Sequence, residues 1–246
     1  MAKKKQGSSR SRGKLVDRDY EILEHLKRYR LTTRDVLHRL FFSDSEINAV
    51  SKVTSRLVKH GYMASHDWDA AKVYFTVGPE ACRLFGLAKT KCKPLGPQAF
   101  PTELGALMFC CGGLVQRKRL LVSEIAKSQP NLLGKGLDSS HYYIEELDGG
   151  VKLLGYIRVD QGGPPDHIAR KCAGDLEKRR KNDALRELID TDRFVIAIVT
   201  GHSSKADRIK ENLARRQWTV RFRVEVSDAL IGAIPRNDLD FLGDHN

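Results

Sequence analysis

The stretch SEINAVSKVTSRLVKHG, residues 45–61, decides how this chain is read. At a helical period it has two faces. Ile47, Val50, Thr54 and Leu57, with Val53 at the border, form an apolar stripe that must pack on something. Asn48, Ser51, Lys52, Ser55, Arg56 and Lys59 form a neighbouring stripe with no acid in it. These are the side chains a helix needs in a DNA major groove: Arg forks onto guanine, Asn pairs with adenine, and Ser and Lys hold phosphates. The competing reading is a solvated face on an amphipathic helix, and the flanking sequence has to separate the two.

Upstream, Tyr20, Leu23, Leu26 and Tyr29, with Ile22 beside them, line one side of a helix that Asp17 is placed to cap. Leu31-Thr32-Thr33 interrupts the period and offers a second cap, ahead of a short helix with Val36, Leu37 and Leu40 inward. Phe41 and Phe42 close that core, and Ser43-Asp44-Ser45 is expected to cap the third helix. Downstream, Gly61 stands where a helix ends on a residue of positive φ. Residues 62–65 and 72–77 then read as strands around a polar tip, residues 66–71, and residues 79–85 as a short helix. Helix, helix, basic helix, glycine and hairpin, in that order, match a winged helix-turn-helix. Lys72 in the hairpin and Lys3, Lys4 and Lys5 ahead of the first helix are expected to add phosphate contacts. Trp68 suits both stacking on a sugar and packing on the body. His60 and His66 lack partner ligands at metal-binding spacing.

Charge is distributed to match. Of the formal net charge of +12 over 246 residues, +8 belongs to residues 1–90 and +4 to residues 91–246. A polyanionic partner is implied for the N-terminal part, double-stranded DNA first and an anionic membrane surface second. Residues 1–16 read as a disordered basic arm, since the first 14 carry six Lys or Arg and no acid. No apolar run reaches the roughly 18 residues of a membrane helix. The basic N-terminus is followed by no apolar segment, so it is not read as a secretory signal; with DNA preferred, no membrane partner is expected, and the location expected is cytoplasmic. Five cysteines with no CxxC pair make a poor disulfide framework and a poor zinc site.

Residues 17–87 thus form one expected domain. Residues 88–101 (AKTKCKPLGPQAFP) read as a linker, residues 102–236 as a second domain and residues 237–246 as a polar tail. In the second domain a helix over 102–111 is followed by strands over 120–124, 142–147 and 153–159, the last two joined at Asp148-Gly149-Gly150. A long helix over 165–189, a nearly all-apolar strand over 194–200, a helix over 203–216, a strand over 219–226 and a last short helix complete it. This order indicates an α/β sandwich with a mixed sheet, and an α+β fold class for the whole chain. The basic run Arg170, Lys171, Lys178, Arg179, Arg180 and Lys181 on the long helix is either a second DNA contact or a mixed solvated face.

The segments DRDYEILEHL, TTRDVLHRLFF, KVTSRLVKHGYM and VYFTVGPEACRLFGL, within residues 17–87, together with LGKGLDSSHYYIEELDGGVKLLGYIRVDQGG, residues 133–163, resemble the replication-relaxation family of plasmid and mobile-element proteins. The resemblance implies a winged helix followed by a domain similar to the restriction-endonuclease-like nuclease fold. It also implies DNA binding in replication, copy control or mobilisation, with replication or mobilisation proteins as further partners; a winged helix that reads a palindrome adds a second copy of the chain, although no dimer seam is visible in the sequence. Active nucleases of that fold hold Mg²⁺ with an Asp and a second acid, and a Lys two residues beyond orients the attacking water; a hard cation needs such clustered oxygens. Asp138 stands at the first acid. Arg158-Val159-Asp160 stands at the acid-x-Lys site, with Arg in the acid's place and Asp in the lysine's. A cation there repels a metal, so the expectation is a DNA-binding protein without cofactor or catalysis. The alternative is a Mg²⁺-dependent nuclease built on Asp138 and Asp160, helped by Glu124 or Glu145.

Overall fold

The computed structural model describes residues 14–69 and 72–234. They form an α+β fold with an open mixed sheet. Three helices come first: α1 (Asp17–Tyr29), α2 (Arg34–Phe41) and α3 (Ile47–Lys59). Ile22, Leu23 and Leu26 of α1, Leu37 of α2, and Val50 and Leu57 of α3 bury against one another. Tyr20 and Leu40, expected inward, are exposed instead. Of the three expected caps, one stands and two differ. Thr33 caps α2 as expected, its side chain accepting from the Val36 N–H. At α1 the cap is not Asp17; the Asp19 carboxylate accepts the N–H of Val16 at 3.0 Å. Ahead of α3 the residue at the cap position is Glu46, with no side-chain hydrogen bond, rather than the Ser43-Asp44-Ser45 run.

Gly61 has φ +75° and turns the chain into β1 (Met63–Asp69), which pairs antiparallel with β2 (Lys72–Val77). The strands run further than the sequence suggests. His66 and Asp67, expected at the tip, pair with Tyr74 and Val73. Thr32 bridges to Phe75 and gives the hairpin a short third rung. The helix α4 (Pro79–Leu84) follows.

The segment expected as a linker carries a 3-10 turn over Lys89–Cys92, and the Leu95 N–H donates to Tyr74 Oη at 2.9 Å. The helix α5 (Ala99–Cys111) is apolar on nearly every side, which marks a helix enclosed in protein. Leu104 and Leu107 of α5 share one core with Tyr29, Leu31, Val36 and Tyr74 of the first unit and with Ile157, Val159, Ala197 and Val199 of the sheet. The two halves of the chain therefore pack on a common apolar centre.

Next come β3 (Arg117–Arg119) and α6 (Val122–Ser128). This corrects the strand expected over residues 120–124, where Leu120 and Leu121 are only the connection between the two. Then follow β4 (Tyr142–Glu146), β5 (Lys152–Val159), α7 (Pro165–Arg180), α8 (Asp183–Asp190), β6 (Phe194–Thr200), α9 (Ser203–Ala214) and β7 (Arg221–Val226). The expected long helix is two, because the Asn182 side chain accepts from the Leu185 N–H and starts a new one.

The sheet order is β3-β4-β5-β6-β7, antiparallel as far as β5 and parallel from β5 to β7. β6 is buried along its whole length, as a strand covered on both faces must be. α5 covers one face, and Ile168, Cys172 and Leu176 of α7 pack with Tyr156, Ile196 and Ile198 on the other. A Cβ at Gly155 would sit 2.1 Å from the Tyr143 ring, so only glycine lets that ring lie across β5. The sheet is curled as well as twisted. Arg117 on one outer strand pairs with Glu225 on the other at 2.6 Å, and Arg117 and Arg223 both reach Glu145 between them.

Candidate nucleic-acid interface

α3 turns Val50, Thr54 and Leu57 inward, and Thr54 Oγ1 donates back to the Val50 carbonyl at 2.9 Å. That anchoring fixes which side chains face outward. Asn48, Lys52, Ser55 and Lys59 are all exposed, at the i, i+4, i+7, i+11 spacing of a single helical row. None of the four has a side-chain hydrogen bond or ion pair among the described residues. Ser51 sits half-buried at one flank of this row.

Arg56, grouped with these residues by the sequence, is placed differently. It lies on the other flank, half-buried, and one of its terminal nitrogens donates to Asp19 Oδ1 at 2.6 Å. Asp19 is fully buried at the start of α1. Releasing Arg56 to a base would strand that carboxylate away from water, at a cost of several kcal/mol. Arg56 therefore ties α3 to α1 and does not project as a free group. The missed signal was Asp19, an acid at a core-facing position of α1.

The hairpin is also held to the body. The Trp68 ring meets Phe100 of α5 edge-on at 5.2 Å, and its Nε1 donates to the Gly232 carbonyl at 3.2 Å. Trp68 packs, and Lys72 Nζ lies 5.4 Å from the centre of its ring. Lys3, Lys4 and Lys5 lie outside the described residues, as does the expected tail, residues 237–246.

The unit that presents α3 is bolted to the sheet by ion pairs. Arg28 grips both oxygens of Glu124. The bond from Arg28 is the main reason that the Glu124 carboxyl falls to about 2. Arg119 and Arg30 converge on Glu103; Glu103 and Arg119 are both almost fully buried. Burial works to raise the Glu103 carboxyl, and the Arg119 guanidinium beside it outweighs that and holds it below its ordinary value.

The acids singled out for a Mg²⁺ site are each engaged by other side chains. Asp138 accepts from Ser140 and His141 and from Tyr156 Oη, and the bond from His141 is the chief cause of its carboxyl lying far below the usual range. Asp160 is buried, accepting Thr200 Oγ1 at 2.9 Å and pairing with Lys205 Nζ at 2.7 Å. Arg158, on the strand between Tyr156 and Asp160, is paired with Asp175. Glu124 and Glu145 are taken up by Arg28 and by Arg117 with Arg223. Among the described residues no three His, Cys, Asp or Glu side chains are grouped to hold a metal ion. The five cysteines are free thiols, and no described helix is long and apolar enough to cross a membrane.

The basic run on α7 is dispersed. Arg179 is buried with its guanidinium 3.6 Å from the Tyr156 ring centre, and Arg180 reaches Thr219 and Asp190. No family model matches the chain, and neither a curated protein nor a solved structure matches it.

Proposed function

We propose that this chain is a cytoplasmic, sequence-reading protein of double-stranded DNA that lays α3 in the major groove. The observation that carries the reading is the outward row Asn48, Lys52, Ser55 and Lys59, exposed, acid-free and unpartnered among the described residues, on a helix packed from behind. The order of helices and hairpin supports a winged-helix arrangement, and the domain behind it, which resembles a nuclease fold, serves in this reading as a base and not as a cutter. Its acids are spent on Lys205, Tyr156 and arginines. The resemblance in sequence points to replication, copy control or mobilisation of a plasmid or other mobile element as the setting.

The test is fluorescence anisotropy of the full chain on a random duplex across a salt series, beside Lys52→Ala and Lys59→Ala. Each lysine on a phosphate should contribute close to one unit of the slope of log K against log salt, so each variant is expected to flatten it by about 0.9. An unchanged slope in both variants would mean that the row is only a solvated face.

A further inference from the structure

The first turn of α3 carries chemistry that points to particular bases. Ile47, expected to be buried, is 48% exposed, because Val50 is the first residue of the helix to enter the core. Beside it Asn48 is exposed with a free amide. Just ahead, Asp44 and Glu46 are exposed and acidic, and they offset the pull that the positive end of the helix dipole would exert on phosphates. What it can approach is the groove floor, where base edges offer amino donors and methyl groups. An A·T pair presents adenine N7 as acceptor, adenine N6 as donor and the C5-methyl of thymine. The Asn48 amide supplies the matching donor and acceptor, and Ile47 the matching apolar surface. Guanine wants the fork of an arginine, and the arginine on this helix is held by Asp19.

Resting on the reading of α3 as the DNA-binding helix, we infer that its first turn reads A·T pairs, with Asn48 on adenine and Ile47 on the thymine methyl. Lys52, one turn on, and Lys59 at the far end are left for the backbone.

The experiment starts with selection of a site by the full chain from a random duplex pool. Single thymines in that site are then replaced by uracil, and single adenines by 7-deazaadenine, which lacks the N7 acceptor. One A·T step is expected to respond to both. Uracil should weaken binding about four-fold, the worth of one buried methyl, and Ile47→Ala should bind the two duplexes alike. Asn48→Ala should lose about five- to 160-fold and become indifferent to 7-deazaadenine. Both residues are exposed, so the variants fold. A selected site at which no thymine or adenine responds, or an Ile47→Ala protein that still prefers thymine, overturns the inference while leaving DNA binding intact. Failure of the wild-type chain to bind any duplex overturns the proposed function itself, and the inference with it.

Discussion

Replacing Glu103 by alanine tests whether the two halves of the chain stand or fall together. Glu103 is 4% exposed and Arg119 3%, and the carboxylate is the acid that neutralises that guanidinium. After truncation Arg119 keeps the Ser140 carbonyl at 2.9 Å and a long contact to the Tyr29 carbonyl at 3.5 Å, which are dipoles and not a counter-charge. Removing one member of a buried pair costs about 3–5 kcal/mol. Arg30, the other partner, is exposed enough to return to water, so its share is at most about 1 kcal/mol. A loss of about 3–5 kcal/mol is about a fifth or more of the stability of an ordinary domain. Urea unfolding followed by tryptophan fluorescence measures it, with Trp68→Phe and Trp218→Phe backgrounds to isolate each signal. Trp68 reports the hairpin side of the junction, and Trp218 lies against Phe222 in the far half. Both signals should move to lower urea together. The Glu103→Leu, Arg119→Leu pair should recover most of the loss, since a buried ion pair is replaceable by apolar packing. A change under about 1 kcal/mol, or a shift in the Trp68 signal alone, would refute the claim that this pair joins the halves.

Two further outcomes follow from single side chains. His25 is 8% exposed, and burial, helped by Arg28, lowers its imidazole to about 4 from an ordinary 6.5. It is therefore neutral when folded, and its contribution is present above pH 6.5 and lost as pH falls towards 4. At pH 5 wild type should have lost about 2 kcal/mol that His25→Gln does not lose, which paired urea titrations at pH 7.5 and pH 5 would read; parallel losses in both proteins would remove His25 as the cause. Gly155→Ala drives a methyl into the Tyr143 ring. It should cost about 3 kcal/mol as measured by thermal or urea unfolding, and Tyr143→Leu in the same chain should relieve part of it; an unaffected Gly155→Ala protein would mean that the ring has room to move.

The element order was legible because its signals are local. Gly61, Asp148-Gly149-Gly150 and the apolar run of β6 each declare their geometry within a few residues. The split at Asn182 was legible in principle and was masked by the helical period running on through it. Residues 120–124 failed for a different reason. Leu120, Leu121 and Val122 read as a strand, but the paired residues are the three before them, whose arginines find acids elsewhere in the fold. At the candidate site the sequence placed Asn48, Lys52, Ser55 and Lys59 on one face because a helical period is enough for that. Arg56 and Ile47 changed roles because each depends on a neighbour distant in sequence: Asp19 claims the arginine, and no element of the core extends far enough to cover the isoleucine. Trp68 had two open fates, and only the arrival of Phe100 and Gly232 from the second half separates them.

Under the DNA-reading proposal, the common core of Tyr29, Leu31, Val36 and Tyr74 with Phe100, Leu104 and Leu107 bears on how such a protein can change its target. A reader hung on a free linker can be exchanged wholesale between chains, and new specificities then arise by recombination. Here a graft of residues 17–87 onto a foreign partner would carry an uncovered apolar surface and the unpaired charges of Arg28 and Arg30 with it. The outer row of α3 is free of that constraint, since nothing in the interior depends on it. Divergence of target is then expected to proceed one exposed residue at a time, with the frame behind it inherited whole.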